Sequence, residues 1–91
     1  MSKFLDLYNS FDDFYETFYR GNEVEFLYNG EHYYILPQYN DQKKIIGIIV
    51  GNDNEGGDII CSSKLELYTV PIASLIFGDI LGEIEIVWNN C

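Results

Sequence analysis

Residues 25–36 read EFLYNGEHYYIL, and the pair in the middle decides the fold. Asn29 and Gly30 accept the two consecutive positive φ angles of a type I′ turn, the connection whose twist matches that of antiparallel strands. Strands are therefore expected over about 23–28 and 31–37. A two-residue loop also sets the register, placing Tyr28 opposite Glu31, Leu27 opposite His32, Phe26 opposite Tyr33, Glu25 opposite Tyr34 and Val24 opposite Ile35. Alternation gives Val24, Phe26, Tyr33 and Ile35 to the core side and leaves Glu25, Leu27, His32 and Tyr34 on the other.

Upstream, Ser10 with Asp13 three residues on forms a capping-box-like helix start, and Gly21 after Arg20 offers a left-handed helix end. Phe11, Phe14, Tyr15 and Phe18 recur at helical spacing, an aromatic stripe suited to packing on a sheet. Phe4 and Tyr8 extend a heptad-like rhythm that admits a helix starting near Ser2. Downstream, Pro37–Lys44 is a polar connection. The isoleucine-rich run 44–50 has the character of a third, central strand. GNDNEGGD is loop, and DIICS and KLELY read as strand, either one or two short ones. Thr69, Val70 and Pro71 suggest a helix start for PIASLIF, ending at Gly78. The segment 83–90 fits either a strand, through Ile84, Ile86 and Trp88, or a short helix, through Ile84, Val87 and Trp88.

The chain of 91 residues has room for one core and so for one domain, 1–91. Hydrophobic types make up 47% and aromatics 16%, enough apolar surface to offset the entropy of ordering the backbone. These elements assemble into an α+β fold: an N-terminal helix on a mainly antiparallel sheet of three to five strands, with one or two short C-terminal helices.

The formal charge is −10, from fifteen carboxylates against five Lys or Arg. Lys3, Arg20, Lys43, Lys44 and Lys64 are scattered along the sequence, which argues against direct nucleic-acid binding. The acidic field favours a basic protein surface as partner, including a nucleic-acid-binding groove whose phosphate positions carboxylates could occupy. The eight tyrosines suit the rim of a core or an interface. Tyr28, Tyr34 and Tyr39 are the expected exposed ones, beside Glu25, Glu31 and Asp41. With Asp53, Glu55 and Asp58 of the loop, they make up the expected partner-binding set.

Catalytic patterns are thin. His32 is the single histidine, set diagonally across the hairpin from Glu25, and a hydrolase built on His32 or Cys61 is the weakest reading. No nucleophile-elbow, HExxH or phosphate-loop pattern occurs. A calcium loop starting at Asp53 would place Asp58 where glycine is needed and Lys64 where glutamate is needed. Zinc lacks a ligand pair of suitable spacing. No metal or cofactor is expected. Cys61 and Cys91 have neither CxxC spacing nor the density of a secreted disulfide scaffold. With no signal-peptide pattern at the N-terminus and no run long enough to span a bilayer, a cytoplasmic protein with no membrane partner is expected. It would be a monomer, or a homodimer if an apolar sheet face is left bare.

The run FDDFYETFYRGNEVEFLYNGEHYYILPQY resembles a family of short proteins of Gram-positive bacteria and their mobile elements. Arg20, Gly21, Glu23, Glu25, Phe26, Tyr28, Asn29, Gly30, Tyr33, Gly82 and Trp88 carry the likeness, over residues 11–37 and more loosely 70–90. The resemblance implies a C-terminal helix near Trp88, and it brings no activity with it. One alanine beside twelve isoleucines and eight asparagines fits AT-rich coding. In size, charge and such an origin, the chain is similar to small acidic phage inhibitors of the anti-CRISPR kind. These observations favour a non-enzymatic inhibitor that occupies a basic site on a host defence protein. An immunity or antitoxin-like protein that neutralises a toxin is the alternative.

Overall fold

The NG hairpin forms as its residues dictate: β2 (Val24–Tyr28) pairs with β3 (Glu31–Tyr39) in the expected register, from Val24 opposite Ile35 to Tyr28 opposite Glu31. Asn29 and Gly30 take φ of 50° and 79°, as a type I′ turn requires. The computed structural model describes residues 2–53 and 57–90. Around the hairpin, β1 (Ser2–Lys3), β4 (Ile45–Asn52), β5 (Ile59–Cys61) and β8 (Glu85–Asn89) complete a six-stranded sheet in the order β1-β8-β2-β3-β4-β5, with all neighbours antiparallel. Two further strands, β6 (Pro71–Ile72) and β7 (Leu75–Ile76), form a separate hairpin.

The α+β expectation holds, with a wider sheet than anticipated. The additional strands are β1 and the C-terminal β8, which pair with each other at one side of the sheet. Segment 83–90 therefore contributes a strand, not the helix implied by the family resemblance; the alternation holds for the buried Ile84 and Ile86, and a register shift against β2 turns Trp88 to the other face.

Three short helices lie in the other layer: α1 (Phe4–Leu7), α2 (Phe11–Phe18) and α3 (Lys64–Thr69). The N-terminal helix does not run continuously from Ser2. Tyr8 is extended and Ser10 restarts the chain as an N-cap, its Oγ accepting from the Asp13 backbone N–H at 3.2 Å. At the far end of α2, Gly21 adopts φ of 90°, and Asn22 N–H bonds back to Thr17 O. This closes the helix in a Schellman motif.

KLELY is helical rather than extended. Ser63 caps it, accepting from Glu66 N–H at 3.2 Å, so the S-x-x-E capping box at 63–66 outweighs the alternating pattern. PIASLIF is the reverse correction. Instead of a helix it makes the β6–β7 hairpin, with Ala73 and Ser74 at φ of 53° and 68°, followed by a 3₁₀ turn at Phe77–Asp79. The left-handed pair lacks the Asn or Gly that normally announces such a turn.

All three helices cover one face of the sheet. Phe14 and Phe18 of α2 and Phe77 are fully buried, together with Val24, Phe26, Ile35, Ile48 and Ile84. The rings of Phe14, Phe26 and Phe77 pack at centroid distances of 5.5–6.0 Å. Burial of each such side chain contributes roughly 1.5–3 kcal/mol. Tyr28 belongs to this buried side too, at 7% exposure, because it shares the parity of Val24 and Phe26. Its expected place on the exposed face is thereby corrected. Among the described residues, no helix is long and apolar enough to cross a membrane.

Candidate functional site

Among the described residues no helix lies on the opposite face of the sheet, and strand alternation decides what it displays. Cross-strand pairing lines up Trp88, Glu25, Tyr34 and Gly51 in one row across β8, β2, β3 and β4. A parallel row holds Glu85, Leu27 and His32, and a third holds Leu36, Ile49 and Ile60. Leu27, Leu36 and Ile49 are half-buried, while Trp88 is 44% exposed. The surface is thus a bare sheet with an apolar floor and carboxylates set among its rings.

Glycine shapes the middle of this face. A Cβ on Gly51 would fall 2.2 Å from the Tyr34 ring and 2.5 Å from Asp58 Oδ1, so only glycine lets Tyr34 lie flat across β4. In that position Tyr34 donates its hydroxyl hydrogen to Asp58 Oδ1 at 2.6 Å. The bond stabilises the protonated phenol and raises the Tyr34 pKa above 10.0, with smaller contributions from desolvation and from the charges of Asp58 and Asp53.

At the end of the face near the NG turn, His32 stands between two carboxylates. Its Nε2 is 3.1 Å from Glu25 Oε1, as the hairpin diagonal anticipated, and its Nδ1 is 2.5 Å from Asp53 Oδ2. The buried Nδ1 has no hydrogen-bond partner of good geometry among the described residues, close as Asp53 is. Asp53 N–H also donates to His32 O at 3.3 Å. Among the described residues, no group of three His, Cys, Asp or Glu is placed to hold a metal ion.

Glu23, Glu25, Tyr34, Leu36, Asp58 and Trp88 surround a shallow, open cleft of about 490 Å³ on this face. Among the described residues, no Lys or Arg lines it. The nearest cation in the face's rows, Lys3, pairs with Glu85 at 3.8 Å.

Of the expected partner-binding set, Glu25, Tyr34, Asp53 and Asp58 come together here. Tyr28 is in the core. Glu31 is on the helix-covered side of the hairpin, where its Oε2 accepts from the Tyr33 hydroxyl at 3.1 Å and from Asn52 Nδ2 at 3.2 Å. Tyr39 is exposed, as expected, but it and Asp41 sit at the far end of β3. Glu55 lies outside the described residues. Glu23, Leu36 and Trp88 were not singled out from sequence. Leu36 shares the parity of Tyr34, whereas Trp88 reaches this face through a register shift in the β2–β8 pairing; simple alternation sets it with the buried Ile84 and Ile86.

Two other sequence readings change in three dimensions. Cys61 is 1% exposed and on the helix-covered face, so it cannot meet His32 across the sheet. Burial, with a smaller effect from Glu66, pushes its thiol up to about 11. The basic residues are not all scattered: Arg20, Lys43 and Lys44 converge with Tyr19 and Tyr39 around a second shallow depression beyond the end of α2. The molecule is therefore polar in charge, with an acidic sheet face and a small basic pole.

No protein-family model, curated protein or solved structure matches the chain.

Proposed function

We propose that this protein is a non-catalytic binding module that uses the bare face of its sheet to occupy a basic site on another protein. The observation that carries this reading is the Trp88–Glu25–Tyr34 row with its flanking carboxylates, a half-apolar and wholly anionic cleft on an uncovered sheet. Apolar floor supplies area and carboxylates supply orientation and selection against acidic partners. The separation of His32 from the buried Cys61 thiol supports binding over hydrolysis. The net charge of −10 supports a partner rich in Arg and Lys, and a nucleic-acid-binding site on a host defence protein is the surface that this chemistry fits best.

The reading is tested by affinity capture from the host at low and high salt. Reversing the charge of Glu23 and Glu25 together should abolish salt-sensitive capture. Reversing Asp12 and Glu16 on α2 changes the net charge equally and should leave capture intact. Equal loss from both pairs would mean that overall charge, not this face, governs binding.

A further inference from the structure

The cleft on the bare face has the chemistry to receive one particular side chain. We infer that it is a receptor for a single arginine of the partner, whose guanidinium stacks on Trp88 while its N–H groups are taken up by Glu23 and the free lone pairs of Glu25 and Asp58. The inference rests on the binding reading above and makes its contact specific.

Glu23 precedes β2 and reaches the cleft beside Leu36. Among the described residues its carboxylate has no ion-pair or hydrogen-bond partner, only its backbone N–H being engaged, by Asn90 Oδ1 at 2.6 Å. Glu25 gives one oxygen to His32 and Asp58 one to Tyr34, which leaves acceptor capacity on both, since an ionised carboxylate has about four lone-pair sites. Three anionic groups thus face a cleft that, among the described residues, no Lys or Arg lines.

Trp88 supplies the wall. A flat guanidinium stacks on an indole and donates in its own plane, whereas an ammonium is a compact, strongly hydrated charge that can do only one of these well. Leu36 and the Tyr34 ring offer the apolar surface along which the arginine methylenes would lie. A cleft of about 490 Å³ falls in the range of roughly 300–1,000 Å³ typical of small-ligand sites. A second copy of the chain is a poor occupant for this face, because a symmetric pairing would set Glu23, Glu25 and Asp58 against their own kind.

Trp88 is the single tryptophan, so its emission reports directly on the cleft. The experiment titrates the whole protein with the blocked pentapeptide Gly-Gly-Arg-Gly-Gly and with matched peptides carrying lysine or neutral citrulline. The arginine peptide is expected to shift Trp88 emission saturably, the lysine peptide several-fold more weakly, and the citrulline peptide not at all. Glu23→Gln, a surface change that keeps side-chain shape, should weaken the arginine peptide roughly tenfold, and Asp12→Asn on α2 should leave it unchanged. Calorimetry on Trp88→Ala, checked for retained fold by circular dichroism, should show the same loss without the fluorophore. Equal response to citrulline, no saturable response to arginine, or indifference to Glu23→Gln would overturn the inference. If the arginine peptide bound with Trp88 silent, the receptor would be lost while the broader reading stood. That reading falls if capture survives charge reversal of Glu23 and Glu25, or if reversing Asp12 and Glu16 costs as much.

Discussion

The two faces of the sheet are made by the same strands and differ by one residue of register. On the covered face Phe26 stacks on Tyr33 with centroids 5.2 Å apart and meets Phe77 beneath the helices. On the bare face, the positions between them hold Glu25, Leu27, His32 and Tyr34. Covered-face side chains exclude water and gain by dispersion and transfer from solvent. Bare-face side chains keep water within reach, which is what allows several carboxylates to sit on an apolar floor without strong desolvation penalties. The scaffold and the site are therefore separable, and substitutions can be chosen to fall on one or the other.

The largest expected effect belongs to the covered face. Phe26→Ala should cost roughly 3–5 kcal/mol, measured by urea unfolding, while Trp88→Ala across the sheet should cost no more than about 1 kcal/mol. Comparable losses would show that the bare face is structural. Gly51→Ala is next, since its methyl would enter the Tyr34 ring; about 1–3 kcal/mol of destabilisation is expected. Tyr34→Ala in the same chain should relieve most of it, because residues in contact are not additive. That double substitution separates crowding on the bare face from any defect in the β4 backbone.

A smaller effect, of opposite sign, is expected in the β6–β7 turn. Replacing Ala73 and Ser74 by Asn and Gly suits the left-handed angles and should stabilise by about 1–2 kcal/mol, without altering peptide binding. The smallest is a pH effect on the helix layer. Tyr15, partly withdrawn from water and hydrogen-bonded to Tyr19, has its pKa raised to about 12 from 10.0. The folded state therefore holds a proton that the unfolded chain gives up earlier. Stability from this group is complete below pH 10 and is lost as pH rises through about 12. Tyrosinate absorbance should show late-titrating groups, Tyr34 of the bare face among them, and Tyr15→Phe should remove one while leaving that of Tyr34 in place.

What was legible in the sequence follows from how local each signal is. The NG turn, the Ser10 cap and Gly21 encode their conformations in adjacent residues, and hairpin register then carried Glu25 to His32 correctly. The S-x-x-E box at 63–66 was equally local but competed with an alternating apolar pattern, and capping prevailed. The Ala73–Ser74 turn was illegible because neither residue prefers positive φ; the pairing of its flanking strands imposes it. Trp88 was hidden for a topological reason. Its neighbour β2 lies more than sixty residues earlier in the chain, so nothing local could reveal that it closes a cleft with Tyr34 and Asp58. Likewise the gathering of Arg20, Lys43 and Lys44 depends on where α2 ends relative to the β3–β4 turn.

The most direct test of the central claim, that the bare face binds and the covered face supports, is amide chemical-shift mapping during titration with a short arginine-rich peptide. Shifts are expected to concentrate on Glu23, Glu25, Tyr34, Leu36 and Trp88 and to spare α2, α3 and the basic pole. Shifts centred on the helix layer, or spread evenly over every acidic residue, would contradict it.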